Sequence, residues 1–187
     1  MKSVSTFVLL LALILLPVKF VVAEDTVYLT KEEALNLALG KNCPYTYSKI
    51  ELDQNILEIL TEHGVSPEAE PIAHLFQCLD STSGKIRYAF IDQQIGKHLP
   101  ITFFVALDAE GAVSQVEIMV YRESYGAGAK DRSFMQQFEG KEVKSELKLG
   151  SNIKHVSGAT LSSKAITRGV ERALLVWNYY IKEGNLK

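Results

Sequence analysis

The sequence predicts an α+β fold, an antiparallel β-meander sheet packed against helices, forming a single domain after an N-terminal signal segment. Three observations carry this reading. Strand-like runs follow one another between residues 86 and 121 with only short turns between them, the connection that antiparallel pairing allows. Near the C-terminus, Ile166, Val170, Ala173, Leu174, Trp177 and Ile181 fall on one face of a 3.6-residue period. The composition, 47% hydrophobic and 22% charged over 187 residues, suits one domain with a real core.

Residues 1–23 read as a secretory signal peptide, with Lys2 as the charged start, an unbroken apolar run from Phe7 to Leu16, and small residues at Val21-Val22-Ala23 for cleavage. An uncleaved anchor through residues 4–22 is the alternative, although Lys19 interrupts the run before the roughly 20 residues a spanning helix needs. Removing the leader leaves 18 basic against 22 acidic side chains, and no basic patch that would suit nucleic acid. Cys43 and Cys78 are the only cysteines. In an oxidising compartment they can form a disulfide, and two free buried thiols are the alternative. No haem or iron–sulfur cysteine pattern is present, so any redox group must be organic.

Within residues 24–84, an N-terminal extension of the domain, Thr30-Lys31-Glu32-Glu33 is a capping box with Leu29 placed to staple on Ala34, and Gly40 supplies a left-handed end to that helix. Pro44 leads into an extended run from Tyr45 to Leu52, and Asp53 can cap a second helix from Gln54 to His63, closed by Gly64. Pro67 and Pro71 mark a loop, Ile72 to Leu79 a strand, and Ser81 to Gly84 a turn. His63 and His74 have no partner at metal-ligand spacing and read as structural or exposed.

Residues 85–187 form the core. Tyr88 and Phe90 give the first strand an aromatic face, Ile101 to Leu107 is the second, and Asp108-Ala109-Glu110-Gly111 turns into the third. There Val116, Ile118 and Val120 are expected to face one way, and Glu117, Met119 and Tyr121 the other. The segment from Tyr121 to Lys130 is rich in glycine and alanine, which opens its backbone to a flat ligand, though on composition alone it reads as a flexible loop. Phe134 and Phe138 mark a short helix closed by Gly140.

Chemistry belongs at Ser157-Gly158-Ala159-Thr160-Leu161-Ser162-Ser163, where hydroxyls and a glycine precede the last helix and its unpaired N–H groups favour an anion. On these residues alone, Ser162 or Ser163 reads as the helix N-cap. The string resembles the signature of the FMN-binding domain family, which includes the flavin-bearing peripheral subunits of the sodium-pumping NADH:quinone reductase and of the Rnf complex. In those relatives the motif threonine carries FMN through a phosphoester made by a flavin transferase, which the resemblance transfers to Thr160. Two further blocks are similar to the family: Glu123-Ser124-Tyr125-Gly126 to its Glu-Thr-Pro-Gly-like turn, and Phe134 to Lys141 to its Phe-x-x-Gln-Phe-x-Gly-Lys. The run Gly96-Lys97-His98-Leu99-Pro100-Ile101-Thr102-Phe103 resembles a secreted branch.

The resemblance implies a periplasmic or otherwise extracytoplasmic FMN-binding electron carrier. Ser157, Gly158, Ala159, Thr160, Leu161 and Ser162 would hold the phosphate, and Glu123, Ser124, Tyr125 and Gly126 the ring. A flavin transferase and membrane or periplasmic redox proteins would be its partners. The family usually carries Asp where this chain has Lys154; that lysine, or protonated His155, would instead pair with the phosphate. The alternatives are a non-covalent FMN module of a reductase, and a secreted binding domain without flavin. A stand-alone enzyme would need an acid/base pair or second-substrate domain that the sequence does not offer.

Overall fold

The computed structural model describes residues 25–65, 71–81 and 83–186; the leader and Pro67 lie outside them. Six strands form one antiparallel sheet in the order β1-β6-β5-β4-β3-β2. They are β1 (Thr26–Val27), β2 (Tyr45–Glu51), β3 (Ile72–Leu79), β4 (Ile86–Ile95), β5 (Pro100–Leu107) and β6 (Val113–Tyr121). The expected meander is its middle. What the sequence reading did not foresee is its extent, since β2 and β3 continue the sheet past β4 and β1 borders β6.

Helices cover both faces. On one, α4 (Thr160–Trp177) lies over β4 and β5, and α2 (Gln54–Glu62) packs against it. On the other, α1 (Lys31–Leu39) buries Ala34, Leu35, Ala38 and Leu39 against Phe76, Ala89, Phe104 and Ala106. Every residue of β5 from Ile101 to Leu107 is therefore buried, which explains its unbroken apolar run. Gly169 allows the close approach of α4 to β5: a Cβ there would stand 2.0 Å from the Phe103 ring.

The local signals read from the sequence recur with their partners. Thr30 Oγ1 accepts from the Glu33 amide at 3.3 Å, and the Glu33 carboxylate accepts from the Thr30 amide at 2.8 Å. Asp53 caps α2 by accepting from the Asn55 and Ile56 amides. Gly40 ends α1 differently from expectation: φ is 102° but ψ is 143°, an extended exit rather than a left-handed turn, and the left-handed residue is Asn42 at φ 61° in the turn that follows. Cys43 and Cys78 are joined as a disulfide, with Cα atoms 6.2 Å apart, which ties that exit to β3.

Two side chains fall where periodicity did not put them. Arg172 lies off the apolar stripe of α4, yet it is 5% exposed, with an ion pair to Asp92 at 2.9 Å and a donated bond to the Ile72 carbonyl. It is buried where the start of β3 and Asp92 of β4 meet the helix. Tyr121 is the second. The β5–β6 register slips between Thr102 and Phe103, so Met119 and Val120 both face the α1 side and Tyr121 joins Val116 and Ile118 on the α4 side. The expected alternation therefore fails at the last two residues of the strand.

Candidate functional site

The 18-residue α4 begins at Thr160, which is exposed. Its N-cap is Ala159, with no side-chain capping bond, so neither serine takes the cap role read from the sequence. Both are inside. Ser163 Oγ donates to the Ala159 carbonyl at 2.9 Å and accepts from the Val156 amide at 3.2 Å, and Ser162 Oγ lies 2.9 Å from the Tyr121 hydroxyl. The first turn of α4 thus keeps its amide donors and the positive end of its dipole free of a side-chain acceptor. Ser157, Gly158 and Leu161 are exposed around it, and Gly158, at φ 75°, has open space where a Cβ would be.

The loop after β6 is fastened to this turn. Tyr121 donates its hydroxyl hydrogen to the Tyr125 carbonyl at 2.6 Å, which leaves Ser162 as donor to the phenol oxygen. Burial raises the Tyr121 pKa, against the opposing pull of the Ser162 bond, so the phenol stays protonated and able to donate at neutral pH. Gly126, at φ 89°, makes the approach sterically possible: a Cβ would lie 2.7 Å from the Tyr121 oxygen and 2.8 Å from Ser162 Oγ. The following residues form a 3₁₀ turn, Ala127–Lys130, rather than a loose loop. Ser124 and Tyr125 remain outside, Tyr125 at 82% exposure.

Glu123 turns toward the β4–β5 hairpin. Its carboxylate accepts from the His98 amide at 2.5 Å and the Leu99 amide at 2.9 Å. Burial would raise its pKa, but bonds from the His98, Leu99 and Lys97 amides and the charge of His98 together hold it below the ordinary carboxylate value. Lys154 and His155 are exposed and line an open groove of about 440 Å³ with Asp131, Ser133 and Gln137. Gln137 holds that segment as a strand partner would, donating to the Lys154 carbonyl at 3.0 Å and accepting from its amide at 2.7 Å. Neither the Lys154 nor the His155 side chain forms a hydrogen bond or ion pair among the described residues.

The structure therefore gathers the glycine-rich loop, the β4–β5 hairpin and the start of α4 at one end of the sheet. Sequence reasoning named most of these residues but gave no part to Tyr121 or Gln137. Gln137 stood inside a recognised block, whereas nothing local marked Tyr121. The arrangement offers an exposed hydroxyl on an uncapped helix N-terminus, suited to a phosphate, beside a backbone bare enough for a flat ring. Those features fit a flavin mononucleotide.

Comparison with known proteins agrees. Residues 96–175 match the FMN-binding domain family. The chain is 34% identical over 86 residues to a subunit of the Na(+)-translocating ferredoxin:NAD(+) oxidoreductase complex of Acetobacterium woodii, covering 41% of this chain and 42% of that one. It is 30% identical over 148 residues to a subunit of the ion-translocating oxidoreductase complex of Stutzerimonas stutzeri, covering 65% of this chain and 64% of that one. It thus spans less than two thirds of the length of these curated relatives. Among solved structures it is similar to a subunit of the Na(+)-translocating NADH-quinone reductase of Parabacteroides distasonis, with a TM-score of 0.47 and 18% identity over 72% of this chain and 75% of that one.

Proposed function

We propose that the protein, whose residues 96–175 match the FMN-binding domain family, is an extracytoplasmic electron carrier whose FMN is joined by a phosphoester to Thr160. The observation that carries the proposal is the exposed Thr160 at the first position of an 18-residue helix without a side-chain cap. A hydroxyl there is open to a flavin transferase, and the first-turn amides and the helix dipole stabilise phosphate charge beside it. Lys154 adds positive charge from the neighbouring groove, which His155 also lines.

FMN supplies reversible electron transfer; the protein positions it and sets its surroundings. Tyr121 and Ser162 keep the 121–126 loop closed on α4, and Glu123 holds the 96–99 turn at the same end of the sheet. Tyr125 and Leu161, both exposed, would flank the ring. The relatives are subunits of ion-translocating oxidoreductase complexes, so a membrane redox complex is the proposed partner class. The apolar run of residues 7–16 is the basis for proposing export.

Intact mass after denaturation tests the attachment. Protein from cells that contain the transferase is expected to carry one FMN, mapped to the Thr160 peptide and lost in Thr160→Val. An unmodified mature mass overturns the phosphoester. Lys154, standing where the family usually has Asp, favours a second reading in which FMN binds non-covalently. Flavin released by acid precipitation would select it.

A further inference from the structure

The face of the sheet opposite α4 is only partly covered. α1 shields the stretch over β4 to β6, and beyond its N-terminus lies a cavity of about 670 Å³ lined by Lys31, Tyr47, His74, Phe76, Ile91 and Met119. That volume is within the range of about 300 to 1,000 Å³ typical of small-molecule sites. Thr160 and the loop fastened to it are on the other side of the sheet, so this cavity has no part in the flavin site.

Its floor is flat and aromatic. The Tyr47 and His74 rings are stacked within 12° of parallel at 6.0 Å, and the Tyr47 and Phe76 rings are tilted by 31° at 5.0 Å. Tyr47 is 48% exposed, so its ring is available to a further partner. Its hydroxyl lies 2.8 Å from His74 Nδ1; with the phenol as donor, His74 keeps its other nitrogen protonated and able to donate.

The wall is cationic. Lys31 Nζ stands 4.9 Å from the Phe76 centroid and 5.6 Å from that of Tyr47, and has no carboxylate partner among the described residues. Lys49 pairs with His74 across β2 and β3 on the same face. Asp92, which also borders the cavity, is neutralised by Arg172 at 2.9 Å. Glu51, opposite Ile72, is the acidic side chain on the same face of β2, set against Lys31 and Lys49.

We propose that this cavity is a second ligand site, taking a small planar aromatic acid that stacks on Tyr47 and presents its anionic group to Lys31 and His74. The ring floor selects a flat π-system. The exposed ammonium, held beside two rings with no carboxylate partner among the described residues, favours an anion. The proposal stands whether or not flavin is attached at Thr160.

Titration of 2-naphthoate into the full mature protein, followed by calorimetry and amide NMR, tests it. Saturable one-to-one binding is expected, with shifts concentrated in β2, β3 and the start of α1. Uncharged 2-naphthamide should bind at least fivefold more weakly, and Lys31→Met and Tyr47→Ala should each weaken 2-naphthoate at least fivefold with flavin content unchanged. The naphthamide comparison needs no variant and so survives any folding defect. Absence of saturable binding, equal affinity for the amide, or shifts confined to the first turn of α4 would overturn the proposal.

Discussion

Gly126→Ala isolates what holds the candidate site together. At φ 89° an alanine carries the left-handed penalty of roughly 1 to 2 kcal/mol. Its methyl would also stand 2.7 Å from the Tyr121 oxygen and 2.8 Å from Ser162 Oγ, so one of these must move. That motion breaks the Tyr121 bonds to Tyr125 and Ser162, at about 1 kcal/mol each. The sum is about 3 to 4 kcal/mol. Gly158→Ala is the internal control, because it has φ 75° but open space around its Cβ and should lose only the conformational share, roughly 1 to 2 kcal/mol. Urea unfolding of both variants, read as midpoint shifts at constant slope, measures the difference. Gly126→Ala is further expected to lower flavin content. Equal destabilisation of the two variants would refute the steric argument and with it the claim that the Tyr121 to Ser162 contact locks the loop.

Further outcomes are expected. Because the Glu123 pKa is lowered on folding, its stabilisation is complete above its unfolded value near ~4.3 and drains as pH falls through the folded value. The stability gap between wild type and Glu123→Gln should therefore narrow as the pH is taken below about 4.3, and a constant gap would reject the role. Arg172→Met leaves the partly buried Asp92 without its counter-charge and should cost roughly 3 kcal/mol, most of it recovered in the double variant Arg172→Met/Asp92→Leu by urea unfolding. Cys43→Ser with Cys78→Ala opens a loop of sequence separation 35 and should cost roughly 3 to 4 kcal/mol, with flavin content unchanged because the bond lies on the α1 side of the sheet.

How far the sequence reached depends on the range of each signal. The capping box at Thr30, the cap at Asp53, the buried stripe of α4 and the strands of the meander were all legible, because each is written within a few residues of itself. The family blocks were legible in order, though not in space. Tyr121 was misassigned because alternation assumes an unbroken register, and a slip opposite Thr102 and Phe103 turned it to the other face. Arg172 lies off the apolar stripe and is buried all the same, because a helical period says nothing of the Asp92 and Ile72 partners that other elements bring to it.

By itself, then, the sequence determined most of the strands and helices and which short string has the makings of an anion site. Only the tertiary structure decided that Ser162 and Ser163 turn inward and leave Thr160 outside, and that Glu123 is spent on the 96–99 turn. It alone showed that Gln137 holds Lys154 in place. Apart from the local bond of Ser163 to Ala159, these pairings join residues 17 to 41 positions apart, and no local preference encodes them. They are settled when the sheet and α4 pack together and each buried polar group must find a partner.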